Sequence, residues 1–217
     1  MHSYAAVLLS RATKTEAQIT SKDKCPGGEI GRRTGFRFQR RNVCRFESDL
    51  GHQVYESNHA MPKCYQLIGV PASGKTTWYR NQDWLGEDKK DHKYVSTDQH
   101  VEGYARDQGK TYSEVFEEYM PTAVKQMLTN VNMAAAYQLD IVWDQTSTTV
   151  ASRRKKFVEL PNYEHIAVVF RTPDAQEHAR RLNSRPGKTI PDEIVQDMID
   201  QFEMPTDEEG FVEIWRV

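Results

Sequence analysis

The sequence predicts an α/β fold in which a parallel sheet is covered by helices on both faces. From residue 61 onwards, short apolar stretches alternate with longer stretches of helical character, and polar residues do not alternate with apolar ones within the short stretches. Apolar strands of this kind are typical of parallel sheets that are buried on both faces. Three of the strands lead directly into a polar residue or loop. In open α/β sheets ligands bind at the carboxyl ends of the strands, so these loops are the first place to look for a site.

The predicted elements follow one another in a regular order. Strands are expected at residues 64–70, 93–97, 140–144, 165–170 and 211–217. Helices are expected at residues 75–83, 112–139, 150–160, 173–183 and 191–202, with a charged loop at 86–92. Thr111 and Glu114 have the spacing of a capping box at the start of the second helix. We expect Pro121 to divide that helix into two, since proline is tolerated best in a first helical turn.

A phosphate-binding loop is the most specific motif of the chain. Residues 69–76 fit the pattern G-x-x-x-x-G-K-[ST], between a buried strand and a helix. A loop around a phosphate needs glycine where side chains would block the backbone N–H groups. Lys75 is expected to reach the β- and γ-phosphates, and the Thr76 hydroxyl to bind Mg²⁺. The residues expected to hold the nucleotide are Gly69, Val70, Pro71, Ala72, Ser73, Gly74, Lys75, Thr76 and Thr77.

The composition fits one globular domain, or one domain with an appendage. The chain has 217 residues, of which 28% are charged and 38% hydrophobic. No apolar run approaches the roughly 18 residues of a membrane span, so no membrane partner is expected. The three cysteines form no C-x-x-C pair and the histidines show no metal-ligand spacing. Free thiols favour a reduced, cytoplasmic setting, which would be the host cytoplasm for a viral protein.

Residues 1–60 differ in character from the remainder, which is why we divide the chain into an extension (1–60) and a domain (61–217). The extension carries ten Lys and Arg against six Asp and Glu, and the domain nineteen against twenty-five. The extension lacks a sustained hydrophobic period, which favours a disordered tail, although a basic arm that binds nucleic acid is an alternative. A third hypothesis is that residues 29–53 are a translated transfer-RNA gene and that the true start is Met61.

Two aspartates follow strands and are candidates for the chemistry. Asp98 comes after the second strand and could act as the general base that orients an acceptor hydroxyl. Its alternative role is to cap the following helix. Asp144 comes after the third strand, where a carboxylate that faces Mg²⁺ is placed in this architecture. The alternative for Asp144 is a local bond to the backbone.

Basic residues provide two further candidates. Arg181 and Arg185 lie four apart at a helix end that runs into a Gly/Pro/Lys loop, as expected of a lid that closes over a transferring phosphate. The alternative is a solvated basic helix end, which the helix dipole favours. Residues 153–156, which begin with Arg153 and Arg154, form a dense basic run. This run could hold the phosphates of a polynucleotide or could be a solvated helix face.

Together these motifs resemble the phage-type 5′-hydroxyl polynucleotide kinases, and more widely the AAA-type P-loop kinases. The resemblance covers residues 61–217 and is closest at Ser-Gly-Lys-Thr-Thr-Trp, residues 73–78. Residues 96–98 match the segment that carries the base, and 144–147 approximate the Asp-x-Thr-Asn segment. The lid motif is approximated by Arg181, Arg185, Lys188, Pro191 and Ile194. There are two departures, since Val101 replaces an arginine and Ser147 replaces an asparagine.

The resemblance implies a P-loop NTPase fold with a kinase-type lid, and an ATP- and Mg²⁺-dependent phosphotransferase. Lys75, Asp98, Arg181 and Arg185 would be catalytic, and Thr76 and Asp144 would hold Mg²⁺. The acceptor would be the 5′-hydroxyl end of single-stranded or nicked nucleic acid, in contact with Asp98, Thr146, Arg153 and Arg154. A kinase of a small metabolite or nucleoside is the first alternative. A nucleotide-binding module without transfer activity is the second.

Overall fold

A wholly parallel, five-stranded sheet forms the centre of the protein in the computed structural model, which describes residues 61–84 and 92–217. In chain order the strands are β1 (Lys63–Ile68), β2 (His92–Val95), β3 (Asp140–Asp144), β4 (Glu164–Val169) and β5 (Glu213–Arg216). In space their order is β2-β3-β1-β4-β5. The predictions for residues 1–60, and nearly all of the charged loop at 86–92, lie outside the described residues.

Six helices surround the sheet in the part of the chain that the structure describes. They are α1 (Lys75–Arg80), α2 (Thr97–Asp107), α3 (Tyr112–Ala136), α4 (Val150–Glu159), α5 (Ala175–Asn183) and α6 (Asp192–Asp200). A short 3₁₀ helix at Asp207–Glu209 precedes β5. No helix among these is long and apolar enough to cross a membrane.

The central strand β1 shows why the apolar strands lack polar alternation. Cys64 packs with α3 on one face of the sheet, whereas Tyr65 and Leu67 pack with Tyr79 of α1 on the other. Successive side chains of a strand point to opposite faces, so a strand that is covered on both sides is apolar throughout. The predicted parallel sheet with helices on both faces is confirmed.

Helix α3 begins as predicted but does not divide. The capping box is present, since Glu114 N donates to Thr111 Oγ1 and Glu114 Oε2 accepts from Thr111 N at 2.7 Å. The predicted break at Pro121 is wrong, because the helix is continuous from Tyr112 to Ala136. Met120 and Ala123, on either side of the proline, are buried against α2. This packing offsets the missing N–H of the proline ring.

Helix α2 was absent from the predicted order of elements. Its hydrophobic stripe consists of little more than Val101 and Ala105, with Gly103 between them. The stripe packs on α3, whereas the other face is polar. This helix matters for the site because it begins at Thr97 and therefore carries Asp98 in its first turn.

Candidate active site at the carboxyl ends of the strands

The phosphate loop joins β1 to α1 in the strand–loop–helix order that the motif requires. A Cβ atom at Gly69 would lie 2.6 Å from Ser73 Oγ and 2.9 Å from Phe170 Cβ, so only glycine fits there. Gly74 has a φ of 102° at the start of α1, a conformation that glycine adopts without strain. Ala72 also has a positive φ, of 59°. The loop therefore contains a strained residue, as binding loops often do.

Side chains hold four successive carbonyl groups of this loop. Lys75 Nζ donates to the carbonyl oxygens of residues 69 and 70, each at 2.9 Å. His178 Nε2 lies 2.7 Å from the carbonyl oxygen of Pro71, which can only accept, so Nε2 carries the proton. Arg181 Nη1 lies 3.5 Å from the carbonyl oxygen of Ala72. With its carbonyl groups engaged, the loop is held in one backbone conformation before a phosphate arrives.

Lys75 is a buried cation with charged groups on both sides of the cleft around it. Burial lowers the pKa of its ammonium group, and the carboxylates of Asp144 and Asp98 counter part of that effect. Arg185 and Lys188 lower it further. Lys75, which is predicted to bind phosphate, therefore interacts electrostatically with both predicted aspartates and with two residues of the predicted lid.

Thr76 and Asp144 meet at the carboxyl ends of β1 and β3. Thr76 Oγ1 donates to Asp144 Oδ2 at 2.9 Å, and the Tyr94 hydroxyl donates to the same oxygen at 2.6 Å. A hydroxyl and a carboxylate are hard oxygen donors of the kind that Mg²⁺ prefers, and Mg²⁺ in such sites keeps waters and phosphate oxygens as its other ligands. The residues therefore fit a magnesium ion, although no cluster of three or more His, Cys, Asp or Glu occurs in the described ranges.

Asp98 also lines the cleft, and both of its oxygens are engaged. Tyr112 Oη donates to Oδ1 at 2.7 Å, and Lys188 Nζ donates to Oδ2 at 2.5 Å. The side chain remains 51% exposed to the cleft. Desolvation by the surrounding walls raises the pKa of this carboxyl, but Lys188, Tyr112 and Arg185 outweigh it and the net pKa is lowered. Asp98 is thus an ionised carboxylate whose remaining lone pairs face the cleft.

The loop after α5, residues 184–190, docks on the first turn of α3. Ser113 N donates to the carbonyl oxygen of Gly187 at 3.0 Å, and Thr189 N donates to Ser113 Oγ at 2.9 Å. Lys188 also pairs with Glu102 at 3.0 Å. Arg185 Nε is buried without a hydrogen-bond partner in the described part of the chain. The segment predicted as a lid therefore contacts Asp98 through Lys188 and places Arg185 in the wall of the cleft.

One cleft of about 1750 Å³ contains most of the predicted site. A pocket for one small ligand is typically 300–1,000 Å³, so this cleft has room for two. Among the predicted catalytic, metal-binding and substrate residues, its walls include Lys75, Thr76, Asp98, Asp144, Thr146, Arg181 and Arg185. Thr146 adds a backbone link, since its carbonyl oxygen accepts from Gly69 N at 2.9 Å.

The predicted acceptor contact of Arg153 is wrong. Its side chain is 0% exposed and makes a bidentate ion pair with Glu209, at 2.7 and 2.8 Å. It also donates to the carbonyl oxygens of Ser147 and Glu203. Arg153 therefore fastens the loop after β3 to the segment before β5 and has no surface for a substrate. Arg154 is exposed on α4 but is not among the residues that line the cleft.

Three residues of the site escaped the sequence analysis. Tyr94 stacks on Tyr79 with ring centroids 4.4 Å apart and bonds to Asp144. Tyr112 orients Asp98, and the buried His178 holds the phosphate loop. For Tyr94, the only signal in the sequence was a tyrosine at a strand end. For Tyr112, it was a tyrosine at a helix start. Nothing in the sequence around His178 indicates its partner, which lies 107 residues away.

The fold and this cleft define a P-loop domain of the kinase type. A family described as an AAA domain (AAA_33) matches residues 66–205, more than half of the chain, and the protein belongs to this family. Among solved structures, a chain of the Pnkp1/Rnl/Hen1 RNA repair complex is 20% identical with a TM-score of 0.50; the match covers 67% of this chain and 45% of that one. A provisionally assigned kinase from Chloroflexus aurantiacus is 15% identical with a TM-score of 0.54, covering 73% and 86%.

At such low identities the likeness to solved structures shows the fold alone. The match spans less than half of the length of the repair-complex chain. The family and the fold together indicate a nucleotide-binding protein.

Proposed function

We propose that this protein is an ATP- and Mg²⁺-dependent phosphotransferase that transfers the γ-phosphoryl group to an alcohol. One observation carries the proposal: Lys75 and Thr76 of the phosphate loop line the same cleft as the ionised carboxylate of Asp98. A donor held by the loop and an acceptor hydroxyl at Asp98 would then face each other across the cleft. Phosphoryl transfer depends mainly on such positioning and on electrostatic stabilisation.

The donor side of the cleft is built from residues that suit a triphosphate. The phosphate loop offers backbone N–H groups, and Lys75 can exchange its two loop carbonyls for phosphate oxygens. Arg181 lies beside the loop, and Arg185, which also lines the cleft, would contact the transferring group. Thr76 and Asp144 would hold Mg²⁺, which supplies charge neutralisation at the phosphates when bound.

The acceptor side is built around Asp98. The acceptor oxygen forms a bond to the γ-phosphorus as the bond from that phosphorus to the β–γ bridging oxygen breaks, and ADP leaves. The proton of the acceptor hydroxyl passes to the Asp98 carboxylate. Tyr112 and Lys188 each use one lone pair of the carboxylate, so others remain to accept the hydroxyl. A carboxylate with a lowered pKa acts mainly by orienting the nucleophile.

The favoured acceptor is the 5′-hydroxyl end of a polynucleotide. The resemblance of residues 73–78, 96–98 and 181–194 to the phage-type polynucleotide kinases supports this choice. The similarity to a chain from an RNA repair complex agrees with it. Against it stands the acidic balance of the domain, and Val101 is buried where an arginine would be expected. These two features favour the second candidate, a kinase of a nucleoside or small metabolite.

An acceptor screen tests the proposal directly. The protein is incubated with γ-labelled ATP and Mg²⁺, with a 5′-hydroxyl oligonucleotide in one reaction and nucleosides in another. Label in the oligonucleotide is the expected result, and label only in a nucleoside would establish the second candidate. Absence of transfer to every acceptor, with ATP binding intact, would reduce the protein to a nucleotide-binding module.

Asp98→Asn separates catalysis from binding. We expect the rate of transfer to fall by at least about 10²-fold, as for loss of a positioned base, with ATP affinity unchanged. Asp107→Asn is the matched control, since Asp107 is exposed at the other end of α2 and is not among the cleft residues. Equal rates in the two variants would contradict the assigned role of Asp98.

A further inference from the structure

Two buried cations lie three residues apart on α4 and differ in their partners. Arg153 is paired with a carboxylate, as buried charges in proteins normally are. Lys156 is only 3% exposed, yet its Nζ donates to neutral groups, Ser147 Oγ at 2.8 Å and the carbonyl oxygen of Ser152 at 3.4 Å. Over residues 61–84 and 92–217, no carboxylate forms an ion pair with it. The helix thus contains one buried charge that is paired with a carboxylate and one that is hydrogen-bonded to neutral groups alone in the described ranges.

Lys156, the cation without a carboxylate partner among the described residues, lines the cleft. Lys156, Ser147 and Trp143 all line it, and Lys156 Nζ lies 5.4 Å from the centroid of the Trp143 ring. Trp143 immediately precedes Asp144, so the ammonium group lies near the end of β3. Ser147, which accepts its hydrogen bond, has a positive φ of 49°. A non-glycine residue in this conformation is a form of strain that clusters at ligand sites.

The position of Lys156 is on the acceptor side rather than the donor side. Trp143 packs with Val95 of β2 and Met127 of α3, on the face of the sheet opposite to α1. The helices α2 and α3, which bear Asp98 and Tyr112, pack on each other along that side. Lys155 is exposed and also lines the cleft, which adds to the positive charge there.

We propose that Lys156 is the cation of an anion subsite, and that the anion is a phosphate group of the acceptor. This inference rests on the proposed function. A phosphate would supply the negative charge that the ammonium group lacks, and Ser147 Oγ would stay within hydrogen-bond reach of both. The acceptor would then be a 5′-hydroxyl nucleoside that bears a phosphate elsewhere on its sugar, as every 5′ end of a polynucleotide does. A bare nucleoside would leave the ammonium group unpaired.

The test uses two ligands that differ only by the phosphate, a nucleoside and its 3′-monophosphate. Their affinities are measured by calorimetry with ADP and Mg²⁺ present, and their KM values as acceptors with ATP. Charge-assisted contacts are strong, so we expect the 3′-monophosphate to bind at least about tenfold more tightly. In Lys156→Met this preference should fall to within about twofold, with the affinity for the nucleoside unchanged. Arg154→Met, which removes an exposed charge from the same helix, should keep the preference.

Each outcome decides the inference. If the wild-type protein binds the two ligands with equal affinity, the subsite is overturned without any variant. It is also overturned if Lys156→Met loses affinity for both ligands equally. If Lys156→Met does not fold, Lys156→Gln, which keeps a hydrogen-bond donor but no charge, replaces it and should lose the preference; retention of the preference in Lys156→Gln overturns the subsite. If the protein phosphorylates acceptors but the 3′-phosphate improves neither affinity nor KM, the proposed function stands and the subsite is refuted. Failure of both ligands to bind, although ATP binds, overturns the subsite, and the acceptor screen then decides the proposed function separately.

Discussion

Lys188 Nζ lies 2.5 Å from Asp98 Oδ2, although the two residues are 90 positions apart in the chain. The contact joins the loop after α5 to the first turn of α2. Lys188 is 11% exposed, and its ammonium group also lies 4.0 Å from the centroid of the Tyr112 ring. Lid position and the protonation state of Asp98 are therefore coupled through one ion pair.

Lys188→Met tests this coupling through the pH dependence of kcat/KM. Because Lys188 lowers the pKa of Asp98, activity in the wild-type protein should persist below the ordinary range of an aspartate and fall as the pH drops through the lowered pKa. In Lys188→Met the cation no longer opposes the effect of desolvation on Asp98, so the pKa of Asp98 should rise. The acid limb of the pH profile should therefore move up by about 1–3 pH units. Lys110→Met is the control, since Lys110 is exposed outside the cleft. An unmoved limb in Lys188→Met would refute the coupling.

Gly187→Ala tests whether docking of the lid loop matters for turnover. Gly187 has a φ of 68°, and a Cβ atom there would lie 2.8 Å from Thr111 Cβ. We expect the loop to leave α3 and kcat to fall several-fold. Gly109→Ala is closely matched, with a φ of 64° and nothing within 4 Å of its added Cβ. It should cost about 1–2 kcal/mol of stability from backbone strain alone and leave kcat unchanged. Equal kcat values would show that docking has no kinetic role.

His178→Ala tests the support of the phosphate loop. The substitution leaves the carbonyl group of Pro71 without its buried donor, which costs about 1–3 kcal/mol. Since we propose that the loop holds the nucleotide, we expect the KM for ATP to rise about tenfold while the KM for the acceptor stays constant. His178→Gln, which retains a donor at similar reach, should recover part of the loss. A rise in the acceptor KM instead would contradict this role.

Arg153→Met should be strongly destabilising because it leaves Glu209 as an uncompensated charge that is only 9% exposed. Breaking a buried pair in this way costs about 3–5 kcal/mol. Arg180→Met is the comparison, since the pair of Arg180 with Glu177 is largely solvated and should contribute far less to stability. Urea unfolding of the two variants measures both values. Similar losses would show that the buried pair holds no structure together.

Lys156 should make the stability of the protein depend on pH in the alkaline range. Burial lowers the pKa of its ammonium group from 10.5 to about 8 in the folded state. Between these values the unfolded chain binds the extra proton, so the stability of the folded state rises with pH, by about 1.4 kcal/mol per unit. The measurement is the difference in unfolding free energy between wild type and Lys156→Met at pH 7.5 and 9.5. A difference that does not change with pH would contradict the lowered pKa.

The sequence predicted those parts of the site that depend on local pattern. The phosphate loop is a short motif, and Asp98 and Asp144 each follow an apolar strand, so their arrival at one cleft follows from a parallel sheet. Arg181 and Arg185, which their spacing predicts to be lid arginines, also line the cleft. Helix α2 was missed because two buried side chains around a glycine give too weak a periodic signal.

The basic run at 153–156 shows what a charge pattern cannot reveal. Residues three apart lie on one face of a helix, and here Arg153 and Lys156 face inwards whereas Arg154 and Lys155 face solvent. Which face is buried depends on Glu209 and on the strands beneath, far away in sequence. The partners of Tyr94 and His178 could not be predicted from the sequence for the same reason, since only the folded chain brings these residues together.

The central place of β1 has a consequence for the synthesis of the protein. Cys64 of β1 is paired with Ile141 on one side and with His165 on the other. The strand that leads into the nucleotide-binding motif therefore gains its second neighbour only after the ribosome has passed β4. Long-range parallel pairing of this kind is slow. Ability to bind ATP should thus appear late during translation, after most of the chain has emerged.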